Sequence, residues 1–306
     1  MPINKSSSAL SAIYKGSSEV TKAYKGTDQI YPNTVPVVTY SLDYLIVAGG
    51  GAHGGDDSFS TYYRGGGGGG GFRTNTLTVD SQETIDITVG QGGTQDGTSD
   101  PAPSGGDSIL VYDTTTIRID GGGGAGRIGV GGASGFGADG GSGGGAGGND
   151  GSCTGGSATG GLSQGNDAGD MINGPGSGDA GTGGGGAGGA SANVDVGADA
   201  APSPGGLAAA NSITGTSVNY AGGGGGGRGF YGGHSSATYG STGAGANSGF
   251  GGNKATGEGD GDSGVVILKI PNTYFSDSYT GSPVKDTTSV SGYTILKFTG
   301  DGTYTT

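Results

Sequence analysis

Apolar residues in this chain gather in short runs instead of spreading along it. Tyr44-Leu45-Ile46-Val47 ends the segment Val37 to Ala48, and Val265-Val266-Ile267-Leu268-Lys269-Ile270 stops at Pro271. The apolar parts of both runs lack alternation, so each predicts a strand buried on both faces, and the two are expected to pair. Between them lie alternating segments, Leu77-Thr78-Val79 with Ile85 to Val89 and Ile109 to Tyr112 with Ile117 to Ile119. Their spacers, Asp80 to Glu83 and Asp113 to Thr116, predict two hairpins that sum to a small β-sandwich. Tyr293 to Thr299 and Thr303 to Thr305 flank Gly300-Asp301-Gly302 and predict a C-terminal hairpin. Almost no α-helix is expected.

From Gly49 to Gly264 the pattern is dominated by glycine, singly and in blocks such as Gly65 to Gly71, Gly121 to Gly124, Gly183 to Gly186 and Gly222 to Gly227. Of 306 residues 81 are glycine and only 30% are hydrophobic, which leaves little for an ordinary core and makes a disordered spacer the plain alternative. The bracketing strands argue instead for a folded body. Glycine in polyproline-II geometry has three residues per turn and no internal hydrogen bonds, so rods can bundle through lateral backbone hydrogen bonds. Interior rods then need glycine on all three faces, as in Gly183 to Gly189, and outer rods tolerate small side chains, as in Gly140 to Gly148. The fold class expected is mainly β and irregular, a small antiparallel β base carrying a polyglycine-II bundle.

Ile13 to Lys22 and Ala23 to Pro32 are two copies of a ten-residue repeat containing Tyr-Lys-Gly, with Gly16 and Gly26 as turns between very short strands. Such units bury little by themselves, so the segment is expected to pair with a partner surface, a small self-contained hairpin being the alternative. The expected divisions are the repeat at 1–36, the β base with its first glycine block at 37–120, the bundle at 121–263, and the closing strand and hairpin at 264–306.

Charge and motifs narrow the chemistry. With 13 basic against 26 acidic residues, a net charge of −13 argues against nucleic acid as a partner. The single Cys153 forms no internal disulfide, no Cys/His spacing suggests zinc, and neither a signal peptide nor an apolar run long enough for membrane insertion is expected. Repeated G-x-G-x-x-G carries no information at this glycine content, and no P-loop is present. Ser134 to Asp139 half-matches a calcium nonapeptide without a tandem copy; Asp260 and Asp262 are the other hard oxygen ligands considered. His53 and His234 have no nucleophile motif beside them, and no enzyme and no cofactor is expected.

The strand Tyr44 to Gly51, the block Gly65 to Gly71 followed by Phe72-Arg73, Ile87 to Gly93, and the closing Ser263 to Leu268 resemble the glycine-rich domain proteins of tailed-bacteriophage virions. Within that group the chain is similar to tail-fibre and receptor-binding tip proteins with polyglycine-II bodies, and the resemblance covers about Tyr44 to Ile270. It implies a non-enzymatic virion structural protein, assembled in the host cytoplasm, possible as a homotrimer, and bound to other virion proteins. A capsid decoration or head-fibre protein without receptor binding is the alternative.

On a rigid scaffold, recognition falls to the loops, and aromatics interrupt glycine in two places. Phe59, Tyr62, Tyr63 and Arg64 form one candidate receptor- or glycan-binding group; Phe230, Tyr231, His234 and Tyr239 form the other. Tyr14, Lys15, Val20, Tyr24, Lys25, Ile30 and Tyr31 of the repeat are the candidates for docking onto the particle.

Overall fold

The computed structural model describes residues 14–15, 18–19, 23–25, 28–31, 37–55, 64–97, 99–127, 135–148, 152–160, 164–172, 180–195, 200–227, 247–253 and 259–306. Two compact units divide the chain, Met1–Val38 and Thr39–Thr306. In the first, each copy of the repeat makes its own antiparallel pair. β1 (Tyr14–Lys15) lies beside β2 (Ser18–Glu19), and β3 (Ala23–Lys25) beside β4 (Asp28–Tyr31), with Lys15 opposite Ser18 and Lys25 opposite Asp28.

The second unit begins with β5 (Thr39–Val47), β6 (Phe72–Asp80), β7 (Thr84–Thr88), β8 (Ser108–Tyr112) and β9 (Thr115–Ile119). Within the glycine stretch lie the two-residue strands β10 (Met171–Ile172) and β11 (Val194–Asp195) and the hairpin of β12 (Ala209–Asn211) with β13 (Val218–Tyr220). β14 (Val265–Pro271), β15 (Val284–Asp286), β16 (Tyr293–Phe298) and β17 (Gly302–Thr305) complete it, and no α-helix occurs among the described residues.

Two antiparallel sheets form the base, one ordered β15-β16-β14-β5-β6 and the other β17-β7-β8-β9. The bracketing strands do pair, Val265 opposite Val47 and Leu268 opposite Tyr44. Their unbroken apolar character follows from what covers them. On one face Leu42, Tyr44, Ile46, Val266, Leu268 and Phe298 meet Ile85, Ile87, Leu110, Ile119 and Tyr304 of the other sheet. On the opposite face Leu45, Val47, Val265, Ile267 and Ile295 pack on Ile213, Tyr220 and Ala221, next to the β12-β13 hairpin.

One of the three expected hairpins forms as such: β8 and β9 pair, with Tyr112 opposite Thr115. The other two are corrected. β6 pairs with β5 while β7 pairs with β8 and β17; β16 pairs with β14 and β15 while β17 joins β7. At 81–83 and 299–301 the chain crosses from one sheet to the other, because Val79, Ile85, Phe298 and Tyr304 all bury their side chains between the layers. A hairpin would confine each pair of strands to one sheet, and the inter-sheet core would lose half its wall.

The glycine blocks form rods whose hydrogen bonds repeat every three residues. In the central rod Gly66 and Gly69 donate to the carbonyls of Thr182 and Gly185, Gly67 and Gly70 to Gly252 and Gly249, and Gly68 and Gly71 to Gly123 and Asp120, at 2.8–3.1 Å. Its carbonyls accept from three further segments: Gly65, Gly68 and Gly71 from Gly54, Gly51 and Ala48; Gly66 and Gly69 from Gly145 and Ser142; and Gly67 from Gly224. Six segments thus surround one rod. A period of three with every bond lateral is polyproline-II geometry used as a packing unit. The rod from 48 to 54 repeats the scheme, with Gly49 and Ala52 donating to Gly106 and Pro103, and Gly50 and His53 to Asp262 and Gly259.

The expected ranking of rods needs two changes. Of Gly183 to Gly189, expected to be interior throughout, only Gly183 to Gly186 is buried and Gly188 is exposed where the chain turns back, while Gly140 to Gly148, expected on the outside, is buried throughout. Its Ser142 and Ala146 are fully enclosed. Space for the Ser142 hydroxyl comes from the neighbouring rod, where a Cβ on Gly165 would lie 2.2 Å from that oxygen.

Where a rod lacks a neighbour, a short side chain supplies the missing acceptor. Asp107 accepts from Gly121 N at 2.9 Å, Asp139 from Ser157 N at 2.7 Å, Asp167 from Ala158 N at 2.7 Å and Asp170 from Gly155 N at 3.0 Å. Aspartate makes up 23 of the 26 acidic residues. Its carboxylate offers acceptors only, on a stem shorter than that of glutamate. Much of the negative charge therefore serves the backbone.

A Cβ on Gly68 would lie 2.2 Å from the Ser142 carbonyl oxygen and 2.6 Å from that of Gly143, whereas one on Gly300 meets nothing within 4 Å. Gly68→Ala is expected to destabilise by about 3 kcal/mol or more, since the enclosed backbone of the 142–143 segment cannot yield; Gly300→Ala should stay within about 0.5 kcal/mol in the same denaturant titration. At the turn after β15, hydrogen bonds from Ser289 and Thr288 hold the Asp286 carboxyl well below the usual carboxylate range. The stability this turn gains is present above the unfolded value of about 3.9 and lost as pH falls through the lower folded value. A carboxyl-carbon NMR titration should accordingly give Asp286 a midpoint below 3.9.

Candidate functional site

Register along the central rod defines two ends. Gly71 enters β6 at the sandwich, and Gly65 lies farthest from it. Beside Gly65 are Gly54, Gly126 and Gly145, and beside Arg64 are Gly181 and Gly227. The residues flanking 56–63, 128–134, 149–151, 173–179, 196–199 and 254–258 all lie toward this end, as does Gly227 at the start of 228–246. Asn247, which follows 228–246, lies toward the sandwich instead, and there the chain also turns back at Gly186 and Gly189, which pair antiparallel.

Several polar side chains are enclosed here. His53 is 1% exposed, and its main-chain N–H donates to Gly259 O at 2.9 Å. The Thr182 hydroxyl accepts from Ala146 N at 2.7 Å and donates to Gly169 O at 2.6 Å, linking the two rods that carry them. Arg127 ties in the segment 94–100: its N–H donates to the Asp100 carboxylate at 3.1 Å and its Nη1 to the Gly97 carbonyl. Asp260 accepts from Gln95 N at 2.7 Å. Farther out, Ala146, Cys153 and Met171 form a small buried cluster, and Met171 pairs in parallel with Val194.

Arg64 differs from expectation. Placed by sequence in an exposed recognition loop, it is 5% exposed and starts the returning rod, its carbonyl accepting Gly227 N at 2.8 Å and its backbone bridging to Arg127 and Gly227. A residue whose main chain is already part of the bundle ladder cannot also stand clear of it. Phe59, Tyr62, Tyr63, Phe230, Tyr231, His234 and Tyr239 lie outside the described residues. So does Val20; Tyr14, Lys15, Tyr24, Lys25, Ile30 and Tyr31 lie on strands of the first unit.

Sequence reasoning passed over Arg127 and Thr182. A signal was available: Arg64 precedes Gly65, Arg127 follows Gly126, and Arg228 follows Gly227. For Arg64 and Arg127 the structure shows what this means, since an arginine at the edge of a glycine block marks the rod's far end. Among the described residues no group of three or more His, Cys, Asp or Glu is arranged to hold a metal ion, and no helix is long and apolar enough to cross a membrane. Asp260 and Asp262 accept from Gln95 N and Ser248 Oγ respectively, so both serve the scaffold. The arrangement is a frame of laterally bonded rods with Arg64 and Arg127 at the end away from the sandwich.

These features define a class of β-closed glycine-rod proteins, in which a sandwich brackets a bundle held by backbone hydrogen bonds. The chain belongs to the glycine-rich domain family, whose model matches residues 27–271. No curated protein and no solved structure matches it.

Thr182→Val keeps the side-chain shape but leaves the Ala146 N–H and the Gly169 carbonyl without their buried partner. A loss of about 1–3 kcal/mol is expected, with faster amide exchange at Ala146, while Thr182→Ser should retain most of the stability.

Proposed function

We propose that this protein is a non-enzymatic structural component of a tailed-phage virion, a tail-fibre or tail-associated adhesin. In this reading the N-terminal repeat docks onto other virion proteins and the glycine body carries the segments that recognise the host surface. One observation carries it: Gly55 and Gly227 both lie at the end of the rods away from the sandwich. The two segments richest in aromatics, 56–63 and 228–246, both begin there. Aromatic side chains with polar ends give contact area at small entropic cost, which suits recognition of a receptor or glycan.

Backbone hydrogen bonding supports the same use. A body held by close main-chain contacts resists distortion at any single residue, so loops mounted on it keep their positions relative to one another.

Purified full-length protein is expected to compete with particles for adsorption to host cells. Replacing Tyr62 and Tyr63, or Phe230 and Tyr231, with alanine should reduce that competition at least tenfold, about 1.4 kcal/mol, without moving the thermal midpoint. Incorporation into particles with no competition for adsorption would instead make the protein a decoration component.

A further inference from the structure

The five-stranded sheet ends in an unusually open edge. β6 runs nine residues, Phe72–Asp80, in unbroken register with β5, and carries neither proline nor lysine nor a bulge. These are the devices by which an edge is ordinarily blunted. Its two ends are occupied: Phe72 N donates to Gln164 O at 2.8 Å, and Asp80 N to the Tyr112 hydroxyl. In the middle Thr76 N donates to its neighbour's side chain, Asn75 Oδ1, at 2.9 Å. In an antiparallel ladder alternate residues turn both N–H and C=O to the same side, so these three donors place Thr74 and Thr78 on the outer side as well. Thr74, Thr76 and Thr78 are all exposed.

Two cavities lie over the sheet beside this strand, one of about 380 Å³ between Asp43, Thr74, Thr76 and Lys269 and the segment Asn211 to Ile213, and one of about 550 Å³ lined by Thr39, Thr78, Asp80, Glu83, Tyr112 and Asp113. The second is acidic. Arg73 is the only basic residue of β6, and its guanidinium has no hydrogen bond or ion pair among the described residues.

We infer that β6 pairs with β6 of a second copy of this chain, antiparallel about a twofold axis at Thr76, making one continuous sheet across two molecules. The register follows from the edge itself. Only outward residues can exchange ladder hydrogen bonds, and of the registers that meet this condition the one centred on the nine-residue strand overlaps its whole length, so that Thr76 faces Thr76 of the other copy and Thr74 faces its Thr78. Asn75 Oδ1 releases the Thr76 N–H to the incoming carbonyl. Threonine pairs of this kind are favourable across strands. The same register sets Arg73 opposite Val79 of the other copy, on the side where Asp80, Glu83 and Asp113 line the acidic cavity, and symmetry repeats the match. The association is isologous and closes with two copies. It does not depend on the virion reading.

The test uses the full chain. Sedimentation equilibrium is expected to give twice the monomer mass, and Thr76→Lys, which brings two like charges together at the axis, should give a monomer that keeps the folded circular dichroism spectrum. In a Cys153→Ala background, Thr76→Cys should oxidise to a disulfide-linked dimer, because residues facing each other as a hydrogen-bonded pair are about 5.5 Å apart at Cα. Thr78→Cys, whose two copies lie far from each other in this register, should not. Arg73→Glu should dissociate the dimer and Arg73→Glu with Glu83→Lys should restore it. A wild-type monomer or trimer, a dimer indifferent to Thr76→Lys, or equal cross-linking through positions 76 and 78 would each overturn the inference.

Discussion

Everything in the second unit depends on the close lateral approach of one backbone to another. In the rods a carbonyl oxygen commonly lies about 2 Å from where a Cβ would be, as at Gly65, Gly66 and Gly67. At that spacing side chains are excluded and N–H and C=O groups become the packing surface. Each rod is useless alone, since polyproline-II geometry satisfies none of its own hydrogen bonds. Order therefore has to be imposed collectively, and glycine, which loses the most freedom on folding, makes that cost as large as it can be.

The sandwich supplies the missing cooperativity. β5 leads directly into the rod from Ala48, β6 receives the central rod at Gly71, and β14 takes over from the last rod at Gly264. Three adjacent strands of one sheet thus fix the ends and axial positions of three rods. Register set there passes along the bundle at three residues per turn, and later rods add to a template already formed. Tyr220 and Ala221 join in the same way, packing the start of another rod on the outer face of the sheet.

This frame explains composition that otherwise looks like disorder. Small hydroxyl and carboxylate side chains stand in for absent neighbours: Ser104 accepts from Gly124 N, Ser203 from Gly183 N, and Asp107 from Gly121 N. Arg118 lies against the same Asp107, so charge and backbone satisfaction share one group. A highly acidic, glycine-rich, hydrophobe-poor chain can fold because its polar residues complete a hydrogen-bond lattice.

The sequence by itself determined the architecture at the level of periods. Unalternated apolar runs at Tyr44 and Val265 announced doubly buried strands, and uninterrupted glycine announced rods of three residues per turn. Local signals of this kind survive without knowledge of neighbours. They did not determine which strand lies beside which: Leu77 to Val79 and Ile85 to Val89 read as a hairpin, yet they face each other across the core from different sheets. Alternation marks which side of a strand is buried and is silent on the partner that buries it. For the same reason Ser142 looked like a surface residue and Arg64 like a loop residue. Only the tertiary structure decided their places, because enclosure among rods depends on glycines a hundred residues away, and no local pattern encodes that distance.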